Sequence, residues 1–378
     1  MNERVLSSSV SRLPSAGFRR TAVVHDWLNG MRGGEKVLEA ILPLLPEPTV
    51  FTLFHTPGSV SPAIERYPIR VSYLNRLPFS KRHYRSYLPL FPSAVESFDL
   101  SGFDFVVSSS HCVAKGALAP DGVPHLCYCH TPVRYAYDQF DLYFPRGKTR
   151  LYTLKAAAIA RLRRWDIATA SRPTIYLANS TAVAERIRRH YGKPARVCHP
   201  PVDVEFFAPA PIPRGDFLLA VGALVPYKRH EIAIEAARRV GRRLLLVGGG
   251  PLESRLRALA PPSVEILPHR GPEELRELYR TCAAYLQPGE EDFGMAAVEA
   301  LACGSPVVAL ARGGASDIVR DEENGVLYEE DSVEGLTRAI DRASRVRFDY
   351  TQQRASALRF RPEKFAEGFQ RALGELSP

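Results

Sequence analysis

The stretch LLAVGALVPYKRHEIAIEAARRVGRRLLLVGGGP, residues 218–251, decides the fold. LLAVGAL (218–224) is a short apolar run of the kind buried on both faces of a sheet. HEIAIEAARRV (230–240) changes to a helical period, and RLLLVGGGP (243–251) returns to a buried run that ends in glycines. Strand, helix and strand in this order make a right-handed βαβ unit with parallel strands. The alternation continues outward. PLESRLRALA (251–260), PEELRELYRTC (272–282) and residues 293–303 read as helices, and VEILPH (264–269), AAYLQP (283–288) and PVVALA (306–311) as strands. The pattern predicts an α/β fold with a doubly wound parallel sheet.

The N-terminal half is a looser version of the same pattern. TAVVHDW (21–27), TVFTLFH (49–55), DFVVSSS (104–110), HLCYCH (125–130) and TIYLANS (174–180) read as strands. GGEKVLEAILPLL (33–45) and TAVAERIRRHYG (181–192) read as helices, the second stopped by its glycine. FFAPAPIPRGDF (206–217) is rich in proline, as an interdomain linker is. Phe365, Phe369 and Leu373 recur at helical spacing near the C-terminus. The expected layout is a flexible arm over 1–20, a Rossmann-like domain over 21–205, a linker over 206–216, a second Rossmann-like domain over 217–358 and a final helix over 359–378.

At 378 residues, 45% hydrophobic and 24% charged, the composition is that of a soluble two-domain protein. No apolar run reaches the roughly 18 residues of a membrane span. Residues 1–20 mix charge early and lack a sustained apolar segment, so a signal peptide is not expected. The six scattered cysteines then read as reduced, buried thiols. HLCYCH (125–130) lacks zinc-site spacing, and VGGGP (247–251) lacks the G-x-G-x-x-G of a nicotinamide fingerprint. The net charge of +9 asks for an anionic partner.

GEEDFGMAAVEALACGSPVV (289–308) carries two acids, Glu291 and Glu299, eight residues apart. On a straight helix that interval rises about 12 Å, beyond the reach of a glycosidase carboxylate pair. It suits the two ends of an extended ligand. Gly294 permits close backbone approach, and the free N–H groups of Gly294, Met295 and Ala296 would make an anion site of the kind that holds a diphosphate. Two ordinary charges at a helix start and on its surface fit as well, and spacing alone favours that blander reading.

E-D-F-G-M-A-A-V-E (291–299) followed by ALACGSPVVA resembles the E-x7-E signature of the retaining glycosyltransferases of family 4, which have the GT-B fold. VHDWLNGMRGGEKVLE (24–39), YCHTPVRYAYD (128–138), ANS (178–180), VGALVPYKR (221–229) and GGASDIV (313–319) stand in the family's order. The YCHTP and EEDFG forms are most similar to the branch that uses GDP-mannose to build bacterial surface polysaccharides. The resemblance implies an N-terminal acceptor domain, a C-terminal nucleotide-sugar domain and a final helix crossing back to the first. It implies Glu291 on the donor-sugar hydroxyls, Glu299 on the ribose, and Lys228 with Arg229 on the diphosphate. It further implies Phe293, Gly294, Met295 and Ala296 along the donor, and the Gly33–Gly34 turn at the phosphates or sugar. His130 would stand beside the reacting carbon and Asp138 near the acceptor. No metal and no cofactor beyond the donor are implied. Two positions depart from the family: Ala223 stands where an Arg commonly grips the diphosphate, and Asp317 where Glu is commoner.

The basic segments RYPIRVSYLNRLPFSKRHYRSYLPLF (66–91) and RGKTRLYTLKAAAIARLRRW (146–165) interleave cations with aromatic and apolar residues. They fit an anionic membrane surface or a lipid-linked acceptor, or simply a solvated face; single-stranded nucleic acid has no supporting motif. The expectation is therefore a cytoplasmic retaining hexosyltransferase, peripheral on the inner membrane face. It would move mannose from GDP-mannose to a glycan or lipid-linked acceptor. A UDP-sugar donor, or a nucleotide-sugar-binding homologue with little turnover, are the alternatives.

Overall fold

A computed structural model describes residues 17–137, 139–146 and 151–376, and the chain divides into two compact units. The first runs to Pro201 and resumes at Glu363; the second spans Val202–Pro362.

The first unit is built on seven strands: β1 Thr21–His25, β2 Thr49–Thr52, β3 Ile69–Val71, β4 Phe105–Ser110, β5 His125–Cys129, β6 Ile175–Ala178 and β7 Arg196–Val197. Their order is β3-β2-β1-β4-β5-β6-β7, with every pairing parallel. The order reverses between β1 and β4, where His25 faces Ser109 in register. That reversal is the topological switch point, where sheets of this type bind ligands beyond their carboxyl ends. The C-terminal helix Pro362–Gly374 lays Phe365, Phe369 and Leu373 into this unit's core beside Tyr128 and Cys198. Each such burial stabilises by about 1.5–3 kcal/mol.

Residues 1–16 of the expected N-terminal arm lie outside the described residues. The rest of that segment is anchored. Phe18 stacks on Phe105 with ring centroids 4.5 Å apart, and the Arg19 and Arg20 amides donate to the Asp104 carboxylate.

The second unit has six parallel strands: β8 Leu218–Val221, β9 Leu244–Val247, β10 Val264–Leu267, β11 Ala284–Gln287, β12 Val307–Leu310 and β13 Gly325–Tyr328. The order β10-β9-β8-β11-β12-β13 puts its switch point between β8 and β11. Period-two alternation sends Leu219, Tyr285 and Val307 to one core layer and Leu218, Leu286 and Val308 to the other. The segment expected as a linker, 206–216, is packed rather than loose. Phe207 is buried together with Val202 and Val204, and the Arg214 guanidinium donates to the Cys282 carbonyl and Ser305 Oγ. The six cysteines are buried thiols. Among the described residues no helix is long and apolar enough to cross a membrane.

Candidate functional site

Two glycines shape the second unit's switch point. Leaving β8, the chain turns at Gly222 (φ +145°) and makes one 3-10 turn, Pro226–Lys228. A Cβ on Gly222 would stand 2.6 Å from Lys228 Nζ, so the lysine chain folds back across a position that only glycine leaves open. Leaving β11, Gly289 comes so close to Tyr227 and Lys228 that a Cβ there would overlap their backbone. These approaches bring Lys228 Nζ to 2.8 Å from Glu291 Oε1, with side chains 11% and 18% exposed. The Gly313–Gly314 turn seats the acid's loop: the Gly314 amide donates to the Glu291 carbonyl at 2.9 Å. The glycine run after β9 has a packing reason as well, since a Cβ on Gly248 would overlap the Gly222 carbonyl.

Past this loop, Gly294 (φ +103°) caps the helix Met295–Ala302. The Ala297 amide already bonds the Gly294 carbonyl, so the Met295 and Ala296 amides are the first-turn donors without an acceptor inside the helix. The helix dipole adds positive potential at these amides. Gln287, at the end of β11, lies directly under Gly294, where a Cβ would meet its Oε1 at 2.6 Å. Gln287 is buried, with neither amide atom hydrogen-bonded. Glu299, one turn into the helix, is 6% exposed and accepts a hydrogen bond from Tyr279 Oη at 3.1 Å. Burial, then the Glu299 charge, pushes the Tyr279 hydroxyl far above its ordinary pKa, which keeps it a donor.

Several expected site residues have different surroundings from those implied. The Phe293 ring is buried edge-on against Phe360, at 5.4 Å between centroids, so its side chain packs the core and leaves only its backbone for a ligand. Arg229, in a left-handed conformation (φ +55°), pairs with Asp331 at 3.1 Å. Ala223 is exposed, and its carbonyl lies 3.3 Å from Nε2 of His230. Burial, with Lys228 nearby, lowers the His230 pKa to about 4, so that ring is neutral at pH 7.

The first unit's switch point gathers polar groups at the ends of β1, β4 and β5. Asp26 is fully buried and accepts the four amides of His111, Cys112, Val113 and Ala114 at 2.7–2.9 Å. This fixes the loop after β4 and puts His111 Nδ1 3.2 Å from the same carboxylate. His130, just beyond β5, bonds Ser109 Oγ through Nε2 at 2.8 Å, and the same oxygen lies 3.0 Å from His25 Nδ1. Gly33 opens the helix Gly33–Ile41. Gly34 lies against His25 and His130, with a Cβ position 3.8–3.9 Å from both rings. Burial, then the His111 and His25 charges, holds the His130 pKa well below the ordinary histidine range.

The structure thus brings Lys228, Glu291, Gly294, Met295 and Ala296 together in one unit and His130 with Gly34 in the other. Asp138 lies outside the described residues. Sequence reading missed Gly222, Gln287 and Tyr279 in the second unit and Asp26, His25, Ser109 and Glu35 in the first. The available signal was polar residues ending apolar strands: His-Asp after AVV, Ser-Ser-Ser after FVV and Gln after AYL. Among the described residues no three His, Cys, Asp or Glu are grouped to hold a metal ion.

The family model Glycosyltransferase Family 4 matches residues 32–206, and Glycosyl transferases group 1 matches residues 203–357. The chain belongs to the family 4-type glycosyltransferases. The match to D-inositol 3-phosphate glycosyltransferase of Mycobacterium sp. (strain KMS) is 34% identical over 190 residues, 44% of this chain and 43% of the relative. The same-named protein of Acidothermus cellulolyticus is 32% identical over 223 residues, 47% of this chain and 50% of its own. The chain therefore spans about half the length of the curated relatives it matches, or less. Among solved structures, sucrose-phosphate synthase from Thermosynechococcus elongatus superposes with TM-score 0.71 at 19% identity, covering 95% of this chain and 99% of its own. Anabaena HepE in complex with UDP-glucose gives 0.68 at 17%, covering 94% and 99%. This glycosyltransferase has the GT-B fold of these neighbours.

Proposed function

We propose that this glycosyltransferase is a retaining hexosyltransferase that takes mannose from GDP-mannose and passes it to a glycan or lipid-linked acceptor. The observation that carries the proposal is the Lys228–Glu291 pair at 2.8 Å beside the open helix start at Gly294. In this reading the diphosphate accepts from the Met295 and Ala296 amides and takes Lys228 as its counter-ion. Glu291, released from Lys228, accepts from sugar hydroxyls. Glu299, oriented by Tyr279, accepts from the ribose. Leaving-group charge is met by preorganised donors, and the chemistry asks for no metal. Leaving group and acceptor share one face of the sugar, which retains its configuration. With Ala223 in place of an Arg, the phosphate grip rests on Lys228 and the helix amides.

Mannose and guanine are supported by the YCHTP (128–132) and EEDFG (290–294) forms. A UDP-sugar donor is the second reading, favoured by the UDP-glucose held by the Anabaena neighbour. Attachment to an anionic membrane face is supported by exposed Tyr73, Phe79 and Leu90, interleaved with Arg66, Arg70, Arg76 and Arg85. The deciding experiment offers labelled GDP-mannose, UDP-glucose and UDP-N-acetylglucosamine to the enzyme with bacterial lipid extract, with and without EDTA. Transfer from GDP-mannose alone, EDTA-insensitive and giving an α-mannoside, supports the proposal. Transfer from a UDP-sugar alone moves the donor to the second reading, and an inverted product refutes retention.

A further inference from the structure

The first unit holds a row of buried polar groups that ends at His130. It runs from Glu35, at the start of the helix Gly33–Ile41, to His25 at the end of β1, Ser109 at the end of β4 and His130 beyond β5. His25 Nδ1 is 3.0 Å from Ser109 Oγ and Ser109 Oγ is 2.8 Å from His130 Nε2, both hydrogen bonds. Glu35 Oε1, at 3.8 Å from His25 Nε2, is near enough to act on that ring by charge but not to bond it, and Nε2 has no hydrogen-bond partner among the described residues. All four residues are buried, at 3%, 0%, 0% and 9% exposure.

With both rings neutral, a serine hydroxyl between two imidazole nitrogens has one proton to give, so its direction fixes both rings. If it were given to His130, His25 would carry its proton on Nδ1 and turn a bare Nε2 lone pair toward the carboxylate. If it is given to His25 Nδ1, then His25 Nε2–H faces Glu35, and Ser109 accepts from His130 Nε2–H. An ionised Glu35 selects the second arrangement. Its Oε2 is already engaged by the Arg32 amide at 2.9 Å, which holds Oε1 toward His25. Burial alone would raise the Glu35 carboxyl, but His25, His111 and its own backbone amide hold it below its ordinary pKa.

We infer that Glu35, His25 and Ser109 are positioning residues that set His130 as the Nε2–H tautomer, leaving Nδ1 as an acceptor for a hydroxyl of the bound ligand. That the hydroxyl belongs to a sugar rests on the function proposed above. The arrangement selects for a ligand group that donates at this position, and an ether or a carbonyl there meets a lone pair.

The test is the long-range proton–nitrogen correlation spectrum of the ligand-free protein with labelled histidine. It contains 10 histidines, and His130→Gln assigns the resonance. The inference expects protonated Nε2 and bare Nδ1 in the wild type. Glu35→Gln and Ser109→Ala should give mixed tautomers, and Ser109→Thr should restore the original one. A protonated Nδ1 in the wild type overturns the inference without any variant. So does an unchanged tautomer in both Glu35→Gln and Ser109→Ala. With substrate, Glu35→Gln should lower kcat/KM by the fraction of the Nε2–H tautomer that the spectrum shows lost, and an unchanged kcat/KM beside a changed tautomer also counts against it. Because the spectrum needs no ligand, absence of nucleotide-sugar binding refutes the proposed function and leaves the tautomer result standing.

Discussion

Removing Lys228 should damage stability and donor binding through the same carboxylate. The pair stands at 2.8 Å with 11% and 18% side-chain exposure. At an effective dielectric of 20 the attraction is about 6 kcal/mol, most of it cancelled by desolvation. Breaking a fully buried pair costs about 3–5 kcal/mol; partial exposure lowers this to roughly 1–3 kcal/mol. Lys228→Ala and Glu291→Ala should each destabilise the second unit by that amount, the double variant by little more than either, with a coupling of at least about 1 kcal/mol. Both tryptophans, Trp27 and Trp165, belong to the first unit, so tryptophan fluorescence would not report this change. Native-state hydrogen exchange at the Val247 and Leu286 amides does. In Lys228→Ala, loss of the ammonium–diphosphate contact should weaken the donor by about 1.5–3 kcal/mol, roughly 10- to 150-fold. Single effects that simply add, or donor affinity within twofold of wild type in Lys228→Ala, would refute the reasoning.

Gly294→Ala must hold φ near +103° and set a methyl 2.6 Å from Gln287 Oε1, so it should lower the unfolding midpoint and cut donor affinity at least tenfold in calorimetry. Phe369→Ala removes a fully buried ring from the first unit's core and should cost that unit about 3–5 kcal/mol, read by tryptophan fluorescence in urea. His125 titrates at about 3 in the folded chain, chiefly through burial and then through Lys115 and Arg172. The unfolded chain takes that proton near its ordinary pKa of about 6.5. The contribution is therefore complete above about pH 6.5 and is lost as pH falls toward about 3, at close to 1.4 kcal/mol per pH unit. Urea titrations from pH 7 to 4 should show that slope in the first unit, reduced in His125→Asn.

The two parallel sheets were legible because their inner strands are continuous apolar runs, as in LLLV (244–247) and FVV (105–107). The edges were not. β7 is two exposed residues and β3 has two exposed positions of three, so neither leaves an apolar pattern to read. Of the site, the helix start at Gly294 was legible from local glycine and alanine signals. The Lys228–Glu291 contact spans 63 residues and depends on Gly222 and Gly289 allowing two loops to meet, which a linear reading does not contain. Phe293 lies inside the signature, and only the structure shows that its side chain packs against Phe360. The chain from Glu35 to His130 became visible only with strand order, because β1, β4 and β5 are neighbours in the sheet and distant in sequence.

The most direct test of the central claim is calorimetric titration of the wild-type protein and Glu291→Ala with GDP-mannose and with GDP. The wild type should bind both. Glu291→Ala should lose at least tenfold in affinity for the sugar nucleotide and little for GDP, since Glu291 is assigned to sugar hydroxyls. Equal losses for both ligands would contradict that assignment, and no heat with either, or with their UDP counterparts, would contradict a nucleotide-sugar site at Lys228 and Gly294.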